Sequence, residues 1–305
     1  MIEPNIENIS HGKVAKTEGS MRWSGRRRSG NVQDRRGSGT VGTGQGLAVG
    51  GGVIGIIIAI IIFLLGGDPG SIFTQGQEGA GPSTTLAGSV AEDEAAQFVS
   101  VVLATTEDVW TPQFEQMGRT YDKPILVLFS GSVATPGGAA TSATGPFYSP
   151  QDESIYIDLA FFDELSRRFG APGDFAQAYV IAHEVGHHIQ YQLGILEQVS
   201  SLQRQVGQAK SNDLSVRLEL QADFLAGVWA HYAERSLDVV EPGDIDEALA
   251  AAGAVGDDRI QQQAQGYVVP DSFTHGTSAQ RARWFRLGYE TGDLSQGNTF
   301  AAESL

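Results

Sequence analysis

The chain has no cysteine. That absence excludes a disulfide framework, a Cys-ligated zinc ribbon, an iron–sulfur cluster and a thiol nucleophile. Histidine is scarce: six in 305 residues, at positions 11, 183, 187, 188, 231 and 275. Basic residues are also short, with 20 Lys and Arg against 36 Asp and Glu, a formal net charge of −16. Phosphate affinity needs Lys and Arg, so no nucleic-acid partner is expected. What is present, 41% hydrophobic and 18% charged residues, fits a globular protein rather than a disordered one. No internal repeat is visible.

The charge is unevenly placed. Residues 1–46 hold 8 basic and 4 acidic side chains, and the rest holds 12 and 32. The only long uncharged apolar run follows this basic head, LAVGGGVIGIIIAIIIFLL from Leu47 to Leu65. As a helix it reaches roughly 28 Å, close to the hydrocarbon thickness of a bilayer. A 46-residue leader is too long for a cleaved signal peptide. Arg22, Arg26, Arg27, Arg28, Arg35 and Arg36 precede the run, and Asp68 is the first charge after it. The positive-inside rule then predicts a single-pass inner-membrane anchor with a cytoplasmic N-terminus and an extracytoplasmic domain. The expected organisation is a basic disordered cytoplasmic tail (1–46), a transmembrane helix (47–66) and a flexible Gly/Ser/Thr/Pro linker (67–90). A folded domain (91–295) and a C-terminal tail (296–305) follow.

Periodicity within the domain predicts helices over 92–118, 161–169, 174–192, 213–234, 244–265 and 278–289. Strands are expected at 124–129 and 154–159, with a small-residue loop at 131–145 between them. Asp174 is expected to cap its helix with Gln177 as partner, and Thr277 to open the last helix in a capping box with Gln280. A helix, then strands, then helices reads as α+β with a small sheet ahead of a helical half.

The chemistry is concentrated in Ala182-His183-Glu184-Val185-Gly186-His187-His188. His183 and His187 are four residues apart, so one helix face carries both and they can share a metal. Glu184 lies beside the first of them, within reach of a metal-bound water. Gly186 lowers helix propensity, an expense that close packing beneath the site would explain. Two imidazoles and a carboxylate on an otherwise apolar helix are costly to bury without a partner. A catalytic zinc takes three protein ligands and keeps one position for water. Glu219 and Asp223, again four apart on an apolar helix, offer the third ligand and a carboxylate to orient a ligand histidine. His275 stands just before the last helix, where it could donate to an oxyanion. Arg281 could hold Asp223 or a substrate carbonyl. His188 points away from His187 and reads as a polar neighbour, and His231 as structural.

These motifs resemble the YpfJ-type neutral zinc metallopeptidases of bacteria. The similar stretches are Gly173–His188, Leu218–His231, Asp271–Arg281, and Gly145-Pro146-Phe147-Tyr148 ahead of Tyr156-Ile157-Asp158. Met21–Gly37 is similar to the family's cytoplasmic head, so residues 1–20 are expected to be an extension or a misplaced start. The resemblance implies a zincin-like fold and endopeptidase activity. Membrane-tethered zincins with an E-x-x-A-D third-ligand stretch, and a histidine six residues before an arginine, are similar at Glu219…Asp223 and His275…Arg281. That likeness implies His275 as transition-state stabiliser. The family's cysteines in this region correspond to Gly137 and Ser149, so a disulfide is lost.

The expected function is hydrolysis of peptide bonds in a peptide or protein substrate. The catalytic residues would be Glu184 and His275, with His183, His187 and Glu219 on Zn2+ and Asp223 and Arg281 behind them. Cobalt or manganese could substitute. A substrate strand could pair with a sheet edge near 148–159. The alternative is a membrane-anchored zinc-binding module without catalysis. A di-iron helical protein is disfavoured, because Glu184-x-x-His187 occurs once and that chemistry needs it twice.

Overall fold

In the computed structural model, which describes residues 20–37 and 93–305, the two runs read as strands pair side by side. Strand β1 is Val32–Asp34, β2 Ile125–Phe129, β5 Phe147–Ser149 and β6 Ser154–Asp158. They form one sheet in the order β1-β2-β6-β5, with β1, β2 and β6 parallel and β5 antiparallel to β6. Both faces of the central strands are apolar, as parallel strands covered on two sides require. Alternation sorts the side chains. Leu126, Leu128, Ile155 and Ile157 enter the main core, while Val127, Phe129 and Tyr156 face a smaller cluster with Phe147, Val133 and Ala140.

Val133 and Ala140 come from a hairpin, β3 Ser132–Thr135 and β4 Gly138–Thr141, in the region expected to be loop. Its strands are Gly, Ala, Ser, Thr and one Val, too weakly apolar to stand out as strands in the sequence. They form because β2 and β6 leave an apolar face to cover.

The helices among the described residues are α1 Glu94–Gln116, α2 Ala160–Arg167, α3 Asp174–Gln192, α4 Ile195–Gln203, α5 Gln208–Arg235, α6 Asp244–Ala254, α7 Asp257–Gln265 and α8 Ser278–Thr291. The expected helix 244–265 is two, broken at Val255-Gly256, where a Cβ on Gly256 would lie 2.3 Å from Ser278 N. Thr277 and Gln280 form the expected capping box. Asp174 does not cap: Gly173 occupies that position, and Phe175 N–H donates to Glu247 Oε2 at 3.1 Å instead. Asp174 accepts from Ser20 Oγ at 2.6 Å and Met21 N at 3.2 Å.

Those last contacts mark a correction. Residues 20–37, expected to belong to a disordered tail, are folded against the domain. Met21 is buried, Trp23 meets Phe98 edge-on, and Asn31 C=O accepts from Leu126 N at 2.8 Å. The physical reason is pairing. The arginines that mark the head find carbonyls and carboxylates on the body, and Val32 finds a free strand edge. The terminal stretch 296–305 also packs rather than trails: Thr299 is fully buried, and its C=O accepts from Arg217 Nη1 at 2.6 Å. Among the described residues no helix is long and apolar enough to cross a membrane. The run 47–65, the linker 67–90 and residues 1–19 lie outside the described residues.

Candidate metal centre

Three helices build the site, and small residues set how closely they approach. Gly186 of α3 faces Ala222 of α5, where an added Cβ would lie 3.0 Å from Ala222 O and 3.1 Å from its Cα. Each contact residue is flanked by functional groups at the same spacing. His183 and His187 stand three before and one after Gly186, and Glu219 and Asp223 three before and one after Ala222. The two pairs therefore interleave. Helix α8 crosses α5 at a second close contact. A Cβ on Gly227 would lie 2.0 Å from Phe285 O, and one on Gly288 2.1 Å from Phe224 O. Asp223 is one turn from Gly227 and Arg281 two turns from Gly288, which brings these opposite charges together inside the core.

His183 Nε2 lies 3.2 Å from Glu219 Oε2, and His187 Nε2 lies 3.6 Å from Glu219 Oε1. Ligand atoms on a tetrahedral zinc with bonds near 2.0–2.1 Å stand about 3.4 Å apart, so this spacing fits the ion. The other ring nitrogens are engaged. His183 Nδ1 meets Asp223 Oδ1 at 2.9 Å, and His187 Nδ1 meets Gln190 Oε1 at 2.9 Å. Gln190 is itself fixed, donating to Leu218 O at 2.7 Å and Gln221 Oε1 at 3.1 Å. Because both Nδ1 atoms face acceptors, they keep their protons, and each Nε2 is the atom that would turn a lone pair to a metal; with no metal bound, a protonated Nε2 donates to Glu219 instead. A metal ion would take the place of the Nε2 protons.

Asp223 is fully buried and accepts from Tyr179 OH, from Arg281 Nε at 2.8 Å and from Arg281 Nη2 at 3.0 Å. Burial raises its pKa, but Arg281 and His183 overcome that and hold it below the usual range. Burial also opposes ionisation of Glu219, yet His187 and His183 hold its carboxyl well below the ordinary value. For His183, burial lowers the pKa, and Asp223 and Glu219 reverse it to about 10. Glu184 differs: burial raises its pKa, and the neighbouring histidines only partly offset this. With both ligand imidazoles neutral, as metal binding requires, the ionised carboxylates of Glu184, Glu219 and Asp223 would outnumber the Arg281 guanidinium and His275, and a divalent ion would offset the excess.

His275 is placed beside this group by a partner that the sequence reading missed. Asp257, the first residue of α7, lies 3.3 Å from His275 Nδ1 through Oδ1. Its Oδ2 accepts from the N–H groups of Thr274 at 2.7 Å, His275 at 2.6 Å and Gly276 at 3.2 Å. Burial lowers the His275 pKa, and Asp257 and Glu219 together raise it above the ordinary value.

The structure thus brings His183, His187 and Glu219 together, with donor atoms within 4.8 Å of one another. It sets Asp223 and Arg281 directly behind them. His188 faces elsewhere, with Nδ1 2.9 Å from Tyr148 OH and burial lowering its pKa to about 4. His231 Nδ1 meets Tyr289 O at 2.7 Å, outside the cluster. Gln190 and Tyr179 were also missed, although their offsets from the histidines, three after His187 and four before His183, place them on the same helix face. Asp257 carries no such signal, since it is distant in sequence and on another helix.

Relatives share this chain over most of its length. YpfJ of Escherichia coli K12 is 53% identical over 284 residues, covering 92% of this chain and 99% of its own. Rv2575 of Mycobacterium tuberculosis H37Rv is 42% identical over 260 residues, covering 79% and 86%. No solved structure matches the chain. The family described as "Putative neutral zinc metallopeptidase" matches residues 21–300, and the chain belongs to that family.

Proposed function

We propose that the protein is a zinc-dependent endopeptidase in which Glu184 activates water for attack on a peptide bond. The observation that carries this reading is the convergence of His183 Nε2, His187 Nε2 and the Glu219 carboxylate beside a second buried carboxyl, Glu184. A zinc ion held by His183, His187 and Glu219 would lower the pKa of water to about 7 and polarise a carbonyl. Glu184 takes a proton from the attacking water and delivers it to the leaving amine. Burial raises its pKa above the ordinary carboxylate value, which makes it a better proton acceptor. His275 donates through Nε2 to the developing oxyanion, while Asp257 holds Nδ1 and sustains the imidazolium. Asp223, locked by Arg281 and Tyr179, keeps the His183 ring in its ligating tautomer.

The substrate is an extended peptide. Strand β5 ends the sheet among the described residues and lies against α3, with Tyr148 bonded to His188. A peptide strand added at that edge would run past the histidine helix. The test is Glu184→Gln. The variant should keep its zinc and lose cleavage of a peptide library by about 10²–10⁴-fold. Cleavage at the wild-type rate would overturn the mechanism. Zinc binding without cleavage in the wild-type protein would favour a non-catalytic zinc module.

A further inference from the structure

We infer that residues 20–37 and the metal domain occupy one compartment, on the same side of any membrane that the chain meets. Three independent features of the described residues support this.

The first is backbone pairing. Strand β1 continues the sheet in parallel register, Val32 opposite Leu126 and Asp34 opposite Leu128. Removing it would bare the edge of β2, whose residues 126–129 are all buried. The second is a buried charge. Glu107 of α1 is 2% exposed. The head supplies most of its partners: Arg27 Nη1 at 2.9 Å, Asn31 Nδ2 at 3.0 Å and the Ser29 hydroxyl, with Lys123 Nζ at 3.3 Å from the body. A domain folded without the head would leave that carboxylate with Lys123 as its one remaining side-chain partner among those named. The third concerns the two ends of the intervening chain. Arg36 forms an ion pair with Asp93, the residue that caps α1. The chain thus leaves at residue 37 and rejoins at 93 within one side-chain reach. A single crossing would separate its ends by the roughly 30 Å of a bilayer core. A run of 19 apolar residues, Leu47 to Leu65, is long enough for one crossing and too short for two.

The arginine excess that suggested a cytoplasmic head has another use. Arg22 pairs with Asp238 and Glu241, each at 2.7 Å, Arg26 donates to the carbonyls of Leu237 and Asp238, and Arg27 holds Glu107 and Asp108. These charges complement the body of the same molecule, so they carry no information about membrane sidedness.

The absence of cysteine in the full chain makes the test direct. Ser24 in the head and Gln263 in α7 are both exposed. Ser24→Cys and Gln263→Cys, made singly, are treated with a membrane-impermeant maleimide in intact and in lysed cells. The inference expects the two positions to respond alike, whichever side that is. Labelling of one in intact cells and of the other only after lysis would overturn it. A double variant, Arg36→Cys with Asp93→Cys, is then treated with a short bis-maleimide. An intramolecular cross-link is expected. Its absence in protein that still unfolds cooperatively would contradict the inference.

Discussion

Glu219 and Glu107 are equally hidden, 3% and 2% exposed, and both are ionised against the preference of their surroundings. Their partners differ in kind. Around Glu107 stand donors that bring their own protons and charges: Arg27, Lys123, Ser29 and Asn31. That carboxylate is complete. Around Glu219 stand two imidazoles whose protonated nitrogens are already turned to Asp223 and Gln190. They can present lone pairs to an ion only by giving up their second protons, which is what metal binding demands. Burial alone therefore does not mark a functional carboxylate. The mark is a buried carboxylate whose partners are groups that can trade a proton for a metal ion.

The largest expected effect breaks the metal side of this comparison from behind. Arg281→Ala leaves Asp223 buried without its guanidinium, and stability should fall by about 3–5 kcal/mol in denaturant unfolding. Zinc affinity should fall about 10–100-fold in a chelator competition. The equivalent change at the other carboxylate, Glu107→Ala, should cost less, about 1–3 kcal/mol. The cations it strands, Arg27 and Lys123, are 45% and 43% exposed and can turn to water. Zinc content and cleavage should not change. A loss of zinc in Glu107→Ala would end the distinction drawn between the two sites.

Much of this contrast was legible in the sequence. The H-E-x-x-H spacing and the Glu219/Asp223 pair both follow from the helical repeat. The close approach at Gly186 was legible too, because a glycine inside a strong helix needs a packing reason. Helix α3 has the expected bounds, and α5 runs slightly longer than its apolar pattern. What was not legible depends on contacts between distant segments. Strand β1 is three residues long and exists because β2 offers an edge. The β3–β4 hairpin exists because Val127, Phe129 and Tyr156 needed cover. Asp257 orients His275 from another helix, and no local period links the two. The basic head was placed by its charge and by its resemblance to a family segment, and neither distinguishes arginines facing lipid from arginines bonded to Asp238 and Glu107.

Asp257→Asn sharpens the comparison within the site. The variant should retain zinc and substrate KM while kcat falls, by less than the roughly 10²–10³-fold that losing an oxyanion donor costs. A fall in zinc content instead would make Asp257 a structural support for the metal. Gly227→Ala should destabilise the protein by about 3 kcal/mol, since the methyl has no room against the α8 backbone.

The smallest effect is a pH dependence away from the centre. Asp244 and Glu247 crowd Asp174 at the start of α3, with Glu241 and Arg22 nearby. Burial, with Asp174 adding to it, pushes Asp244 up to about 6 and Glu247 up to about 7. The folded protein then keeps protons that the unfolded chain has already released. Stability from this cluster is complete below the ordinary carboxylate range and is lost as pH rises through about 6 to 7. Glu247→Gln should flatten the dependence of Tm on pH across that interval. An unchanged slope would show that the three carboxylates do not share the burden.

The central claim is that two imidazoles and Glu219 hold a divalent ion, and metal stoichiometry tests it most directly. Elemental analysis of the purified full chain should find one zinc per chain in the wild type and in Glu184→Gln, and none in a folded Glu219→Ala variant after dialysis. Full zinc occupancy in Glu219→Ala, or a wild-type protein that takes up no divalent metal, would contradict the account.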